Sequence, residues 1–335
     1  MKDELITLAH GSGGKAMQRL IGETIAQFFP SILPQDDFGI YEASGSENKV
    51  IMSTDSFVIS PRHFLGGDIG KLAVIGSCND VAMSGAKPIG LTCSLIIEEG
   101  FSLDELKSIL KSMANTAREC GVEIKTGDTK VVPRGTCDGL FINTTALATS
   151  DNAPFFQSSI QAGDKIIVSR DIGCHGACIA DLRNELGLST DVSSDCASLY
   201  PLIDSVSHLS AHVRYFRDAT RGGLAAVLNE LAAGSETQFD VIEEQIPVSN
   251  SVRGVCEILG LDPLYLANEG TLVCIVDAET ADEIISCFRQ HQIAENACII
   301  GEVVDGRSGR VTIESMLGVK RLLDMPEGEL LPRIC

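Results

Sequence analysis

The chain has 335 residues, too many for one ordinary core and suited to about two domains. Hydrophobic residues make up 44%, ample for burial, so the chain is not read as disordered. Its 26 basic and 46 acidic residues leave a net charge of −20, a surface that repels nucleic acid and anionic membranes; neither is expected as a partner. A phosphate substrate would have to be met by backbone N–H groups, a few cations or bound metal ions.

The opening MKDELITLAHGSGGK lacks the basic and apolar regions of a signal peptide, and no apolar run reaches the roughly 18–20 residues of a membrane helix. A cytoplasmic location is the expectation. Met17, Leu20, Ile21, Ile25 and Phe28 have helical spacing over 14–29, and Pro30 and Pro34 then bound a loop. VIMSTDSFVIS (50–60) reads as a strand, 69–85 as a helix rich in small residues, and PIGLTCSLIIEE (88–99) as a strand. Ser102 and Glu105 form a capping-box signal for a helix that Gly121 ends. VEIKTGDTKVV and GLFINTTALAT are further strands.

The pattern breaks over 150–163, a domain junction. It resumes with DKIIVSR and alternates strand and helix to about residue 317, with LVCIVDA and ACIIGEVV as buried strands. The expected division is 1–155, 156–318 and a tail, 319–335. Pro326, Gly328 and Pro332 keep that tail from being a regular helix. Its 17 residues could span roughly 55 Å when extended, carrying Cys335 to a distant site. The twelve cysteines contain no CxxC pair, and the closest, Cys174 and Cys178, lie one helical turn apart. Reduced, mostly buried thiols are expected, with neither structural zinc nor an iron–sulfur cluster.

HGSGGK (10–15) precedes a helix, where Gly11, Ser12, Gly13 and Gly14 could offer backbone N–H groups to phosphate. It is not a Walker A loop, since Ala9 and Ala16 stand where Gly and Ser or Thr are needed. GGDIGK (66–71) fails the same test at Leu65 and Leu72. Asp55, Asp68, Asp80 and Asp128 each sit among Gly, Ser, Thr or Asn. Carboxylates are costly to bury unless paired or metal-bound, so the four are candidate Mg²⁺ ligands, although an Asp beside Gly is also an ordinary turn or cap. Asn79 and Thr129, beside two of them, join Asp55 as candidate nucleotide contacts. Lys130 shares a strand face with Asp128 and could neutralise a phosphate or form a surface ion pair. In RDATRGG (217–223), Asp218 or Thr220 could cap a helix and Arg221 could meet an anion. Glu269 in NEG is a turn acid or a general base. His208 and His212, one turn apart, are a metal pair or surface decoration.

Together HGSGG, STDSFV, GGDIGKLAVIGSCNDVAMSGA, TGDTKVV, DATRGG, ANEG, GVKR and the terminal PRIC resemble, in this order and over essentially the whole chain, the HypE family of hydrogenase maturation proteins. That family lies in the superfamily of aminoimidazole ribonucleotide synthetase, selenophosphate synthetase and thiamine-monophosphate kinase. PRIC is the specific signal. The resemblance implies an α/β (α+β), two-lobed aminoimidazole ribonucleotide synthetase-like fold, its N-terminal lobe forming a shared barrel-like core in a homodimer. It also implies a chemistry. A HypF-type carbamoyltransferase loads a carbamoyl group onto Cys335. ATP phosphorylates the amide oxygen, and loss of phosphate leaves an S-cyano group for the iron of a HypC–HypD complex, as a ligand of the NiFe-hydrogenase centre.

Under this reading the cofactors are ATP and Mg²⁺, the metal lying on Asp55, Asp68, Asp80 and Asp128. Lys130 stabilises charge on the transferred phosphoryl group, and Glu269 is the first candidate base, ahead of His10 and His175. One position departs from the family. Cys174 stands in GCHGA where an acid is expected, which leaves His175 without the group that would orient it. Two other readings stay open: a synthetase or kinase of the same superfamily acting on a free small molecule, with Cys335 idle, and a metal or thiol carrier without catalysis.

Overall fold

The computed structural model describes residues 5–29, 37–42, 49–150, 155, 159–184 and 192–327. Cys335 and half of the expected junction at 150–163 therefore lie outside the described residues. The N-terminal segment runs as α1 (Lys15–Arg19), a wider π turn (Leu20–Ile25) and α2 (Ala26–Phe28). Strands β1 (Gly39–Glu42) and β2 (Lys49–Phe57) follow, then a small ribbon of β3 (His63–Phe64) and β4 (Gly67–Asp68). Helix α3 (Ile69–Ala82), β5 (Pro88–Glu98), α4 (Leu103–Glu119), β6 (Glu123–Val132) and β7 (Leu140–Ser150) complete the first domain. Its sheet has the order β1-β2-β7-β5-β6. β5 and β6 are parallel, joined by α4 as crossover helix, and the other neighbours are antiparallel.

α3 and α4 cover one face of this sheet. α4 is amphipathic, burying Ile109, Met113, Thr116 and Ala117, and Ser102 caps it by accepting the Glu105 N–H at 3.3 Å. α3 is buried on nearly every side, which explains its small residues. A Cβ at Gly70 would come within 2.6 Å of the Ile109 carbonyl, and one at Gly76 within 2.8 Å of the Phe57 ring. The opposite sheet face leaves Met52, Thr54, Ser56 and Ile96 exposed.

The second domain contains β8 (Lys165–Val168), α5 (Cys174–Asn184), α6 (Tyr200–Ser205), β9 (Val213–Asp218), α7 (Gly223–Gly234), β10 (Gln238–Ile242) and α8 (Asn250–Leu259). It continues with β11 (Leu272–Val276), α9 (Ala281–Phe288), β12 (Cys298–Val304), β13 (Arg310–Glu314) and β14 (Lys320–Leu322). Its seven strands order as β14-β13-β10-β12-β8-β11-β9. Alternation along the central strands splits the core. Ile167, Leu272, Cys274 and Val276 face a cluster that is continuous with α3 and the first domain. Ile166, Val168, Val273 and Ile275 face a second cluster under α7. The two domains therefore share one apolar core, and α3 is its centre.

The tail expected from residue 319 begins later. Lys320–Leu322 pair with β13, and Leu323 is buried. Three residues are too short a run for alternation to reveal. No helix among the described residues is long and apolar enough to cross a membrane.

Candidate functional site

Four aspartates converge where the domains meet. Asp37 precedes β1, Asp55 lies on β2, Asp80 lies near the end of α3, and Asp218 ends β9. Carboxylate oxygens of Asp37, Asp80 and Asp218 lie within 4.8 Å of one another. With Asp55, Gly13 and Arg221 they line a cavity of about 260 Å³. Strand alternation puts Ser53 and Asp55 on the face of β2 that looks toward α3, and the Ser53 hydroxyl donates to Asp80 at 2.6 Å.

The electrostatics are those of a cation site. Burial pushes the Asp80 carboxyl well up, and Asp55, Asp218 and Asp37 push it further. Burial also raises Asp55, which Arg221 partly offsets. Asp218 is pushed up to about 6, chiefly by burial, with Arg217 opposing. Neither Asp218 oxygen has a hydrogen-bond partner although the residue is 3% exposed. Arg217 is engaged elsewhere, at 3.0 Å from Asp37 and 2.8 Å from Glu230. A buried carboxylate left without a donor, facing two others, fits a hard divalent ion with oxygen ligands.

The glycine segment forms one wall. Gly13 has φ +79°, and a Cβ there would sit 2.8 Å from the Arg221 side chain. His10 closes the turn before it: its Nδ1 accepts the Thr7 N–H at 3.1 Å. Packed against Gly13, Gly222 has φ +79° and is followed by Gly223 at φ +62°, and the pair turns the chain from Arg221 into α7.

Glu269 is 7% exposed, in the loop before β11. Burial raises its carboxyl well above the ordinary range, and Asp195, Asp218 and Asp55 raise it further while Arg221 opposes them. Asp195 fixes this loop. Its Oδ1 accepts the Glu269 N–H at 3.0 Å, and its Oδ2 accepts the Gly270 N–H at 3.0 Å and the Thr271 hydroxyl at 2.8 Å. The same 192–199 segment is tied to α3 through Asn79, whose amide donates to Ala197 O at 3.1 Å and accepts from Leu199 N–H at 2.8 Å. The helix of Asp80 and the loop of Glu269 are thus braced by one segment. Asn79 spends its amide on this brace.

The structure does not bring every candidate together. Asp68 caps α3, accepting the Lys71 N–H at 2.8 Å. Asp128, Thr129 and Lys130 lie exposed on the edge strand β6, with Lys130 Nζ 2.7 Å from Asp128. Three strand spacings, about 14 Å, separate β6 from β2. Among the described residues the one group of three or more potential ligand side chains is the aspartate trio, so His208 and His212 form no such group, and His212 instead meets Asp277 at 2.6 Å. The eleven described cysteines are all free, and burial pushes Cys174 up to about 12. His175 is oriented by Ser194, 2.8 Å from its Nδ1, and packs edge-on against Phe64; residue 174 is not its partner. Asp37 and Asp195 escaped the sequence reading, and Asp218 entered it only as a cap.

Two family models cover most of the chain: "AIR synthase related protein, N-terminal domain" over residues 35–149 and "AIR synthase related protein, C-terminal domain" over 161–314. The chain is 46% identical over 336 residues to carbamoyl dehydratase HypE of Escherichia coli K12, covering 98% of this chain and 99% of that one. It superposes on HypE in a crystal structure of a HypE–HypF complex with a TM-score of 0.86, at 41% identity, covering 92% of this chain and 99% of that chain. A crystal structure of HypE in complex with ATP matches with a TM-score of 0.82 at 44% identity, covering 99% of this chain and all of the other.

Proposed function

The chain belongs to the AIR synthase related proteins and, within them, to the HypE carbamoyl dehydratases, and from that premise we propose that it converts an S-carboxamide on Cys335 to an S-cyano group at the expense of ATP. The observation that carries this reading is the buried aspartate cavity between the glycine segment and Arg221, in a chain matched end to end by carbamoyl dehydratases.

The steps balance without an oxidant or reductant. The amide oxygen of the S-carboxamide attacks the γ-phosphorus and ADP leaves. One N–H proton is lost, giving an O-phosphorylated thioimidate, with carbon bonded to sulfur, oxygen and one nitrogen. Loss of phosphate and the second proton gives the S-cyano group. Asp37, Asp55, Asp80 and Asp218 would hold Mg²⁺, which when bound draws phosphate oxygens together and offsets their charge in an acidic protein. Gly13 and Arg221, on the cavity wall, would face the phosphates. Glu269 is the proposed base: it is buried on the loop that Asp195 fixes, and burial gives its carboxyl a higher proton affinity than an exposed one. His10 is a lesser candidate, held in its own turn.

Lys130 and Asp128 belong to the same proposal only in a homodimer. β6 is a ten-residue edge strand exposed along nearly its whole length, and the adjoining sheet face carries exposed Met52 and Ile96. Pairing with a second copy would cover both and close the barrel-like core. A HypF-type enzyme loads the carbamoyl group, and a HypC–HypD complex accepts the cyanide.

The mass of the C-terminal peptide tests the function directly, after incubation with the loading enzyme and Mg²⁺-ATP. Wild type should pass from thiol to carbamoyl to cyano forms. Glu269→Gln should load normally and stop at carbamoyl. Cyano formation at the wild-type rate in that variant removes Glu269 from the mechanism.

A further inference from the structure

Beyond β14 the chain does not leave the protein at once. Leu323 is 1% exposed, and its N–H donates to Val311 O at 3.0 Å. Three of the next carbonyls are then taken by three different elements. Asn229 on α7 donates its amide to Leu323 O at 3.0 Å while also holding Ala225 O at 2.8 Å. The Tyr265 hydroxyl donates to Asp324 O at 3.2 Å. The Lys15 backbone N–H, at the start of α1, donates to Pro326 O at 3.1 Å, and the Lys15 side chain pairs with Glu327. Pro326 is buried. It lies so close to the glycine segment that a Cβ on Gly14 would be 2.5 Å from its carbonyl oxygen. Pro326 thus packs against Gly14 and Gly222, the chain neighbours of Gly13 and Arg221, which line the aspartate cavity.

We propose that Leu323–Glu327 is a fixed root from which the carrier arm departs, and that Asn229, Tyr265 and Lys15 are positioning residues that hold this root at the mouth of the cavity. The proposal rests on the reading that Cys335 carries the carboxamide. Its consequence is a short arm. Only eight residues, 328–335, separate Glu327 from the end of Cys335, with a greatest span of about 29 Å. With β14 still paired, freeing the root would leave 13 residues, 323–335. Effective concentration falls as roughly the 3/2 power of tether length, so freeing the root lowers the local concentration of the thiol about twofold.

The test uses full-length protein already carrying the carbamoyl group. Asn229→Asp is isosteric and turns a donor into a carboxylate that faces two carbonyl oxygens. Tyr265→Phe removes a single hydroxyl and leaves the ring in place. Amide hydrogen exchange over 319–327 reports the root, and the carbamoyl-to-cyano mass change at saturating Mg²⁺-ATP reports delivery. Both variants should exchange faster in the root. Asn229→Asp should dehydrate about twofold more slowly with an unchanged apparent KM for ATP. Unaltered root exchange in both variants would show that these bonds are not the anchor. Faster exchange with a wild-type rate, or a slower rate with a raised KM for ATP, would overturn the positioning role. A wild-type protein that never forms the cyano product would instead sink the carrier reading, leaving the exchange result to speak for the root alone.

Discussion

Asp195 offers the sharpest check on how the site is held. Asp195→Asn changes one oxygen to NH₂ and nothing in size. If the amide keeps its oxygen toward the Glu269 N–H, the NH₂ replaces Oδ2 and faces the Gly270 N–H, donor against donor, while the Thr271 hydroxyl can turn and accept. The opposite rotamer orphans the Glu269 N–H instead. Either way one buried backbone donor loses its acceptor, costing about 1–3 kcal/mol, and two charge-assisted bonds become neutral ones at about 1 kcal/mol less. The expected loss is about 3 kcal/mol, measured by guanidinium unfolding at pH 7. Nucleotide binding should persist, because the aspartate cavity is built by other residues, while cyano formation falls at least tenfold as the Glu269 loop loosens. A loss below about 1 kcal/mol would refute the claim that Asp195 is the loop's anchor. Lost stability with normal cyano formation would refute its link to chemistry.

His175 predicts an acid dependence. Burial lowers its imidazole from the ordinary 6.5 to about 4, so the folded state favours the neutral ring, and its contribution is lost as pH falls from above 6.5 through 4. At about 1.4 kcal/mol per tenfold, the difference in unfolding free energy between wild type and His175→Gln should move by about 3 kcal/mol in the variant's favour between pH 7.5 and 4; a pH-independent difference would count against it. Asp218→Asn should keep or raise the melting temperature of metal-free protein at pH 7, since it removes a buried carboxylate without a donor, yet abolish Mg²⁺-dependent stabilisation by ATP in differential scanning fluorimetry. Sedimentation should give about twice the 35.6 kDa chain mass for a homodimer, and a monomer at micromolar concentration would exclude Lys130 and Asp128 from a shared site.

Much of the fold is legible because its elements carry local signals. Ser102 caps α4, Ile109, Met113 and Ala117 mark its buried face, and strand alternation sorts the central residues of the second domain between two cores. The candidate site is legible only in part. Asp55 and Asp80 stand out because a strand and a small-residue helix flank them. Asp37 sits in an ordinary turn sequence and joins the cavity only through tertiary placement, far in sequence from Asp218. Asp195 works through backbone N–H groups, and Asn79 through a carbonyl and an N–H, partners that no side-chain pattern reports. Asp128 illustrates the reverse limit. Period-two spacing shows which face a residue shares, but not that its strand lies at the far edge of the sheet.

The glycine turns at the domain seam have a bearing on recombination. A Cβ at Gly13 would stand 2.9 Å from the Arg221 backbone, one at Gly14 2.5 Å from the Pro326 carbonyl oxygen, and one at Gly222 3.1 Å from the Gly13 carbonyl. The seam at this point is closed by glycines that leave no room for a side chain of their own. A chimera that joins the first domain of this chain to the second domain of a relative need not match shapes there, provided both parents supply glycine. The mismatch would fall instead on Asn79 and the 192–199 segment, where a side chain from one half grips the backbone of the other.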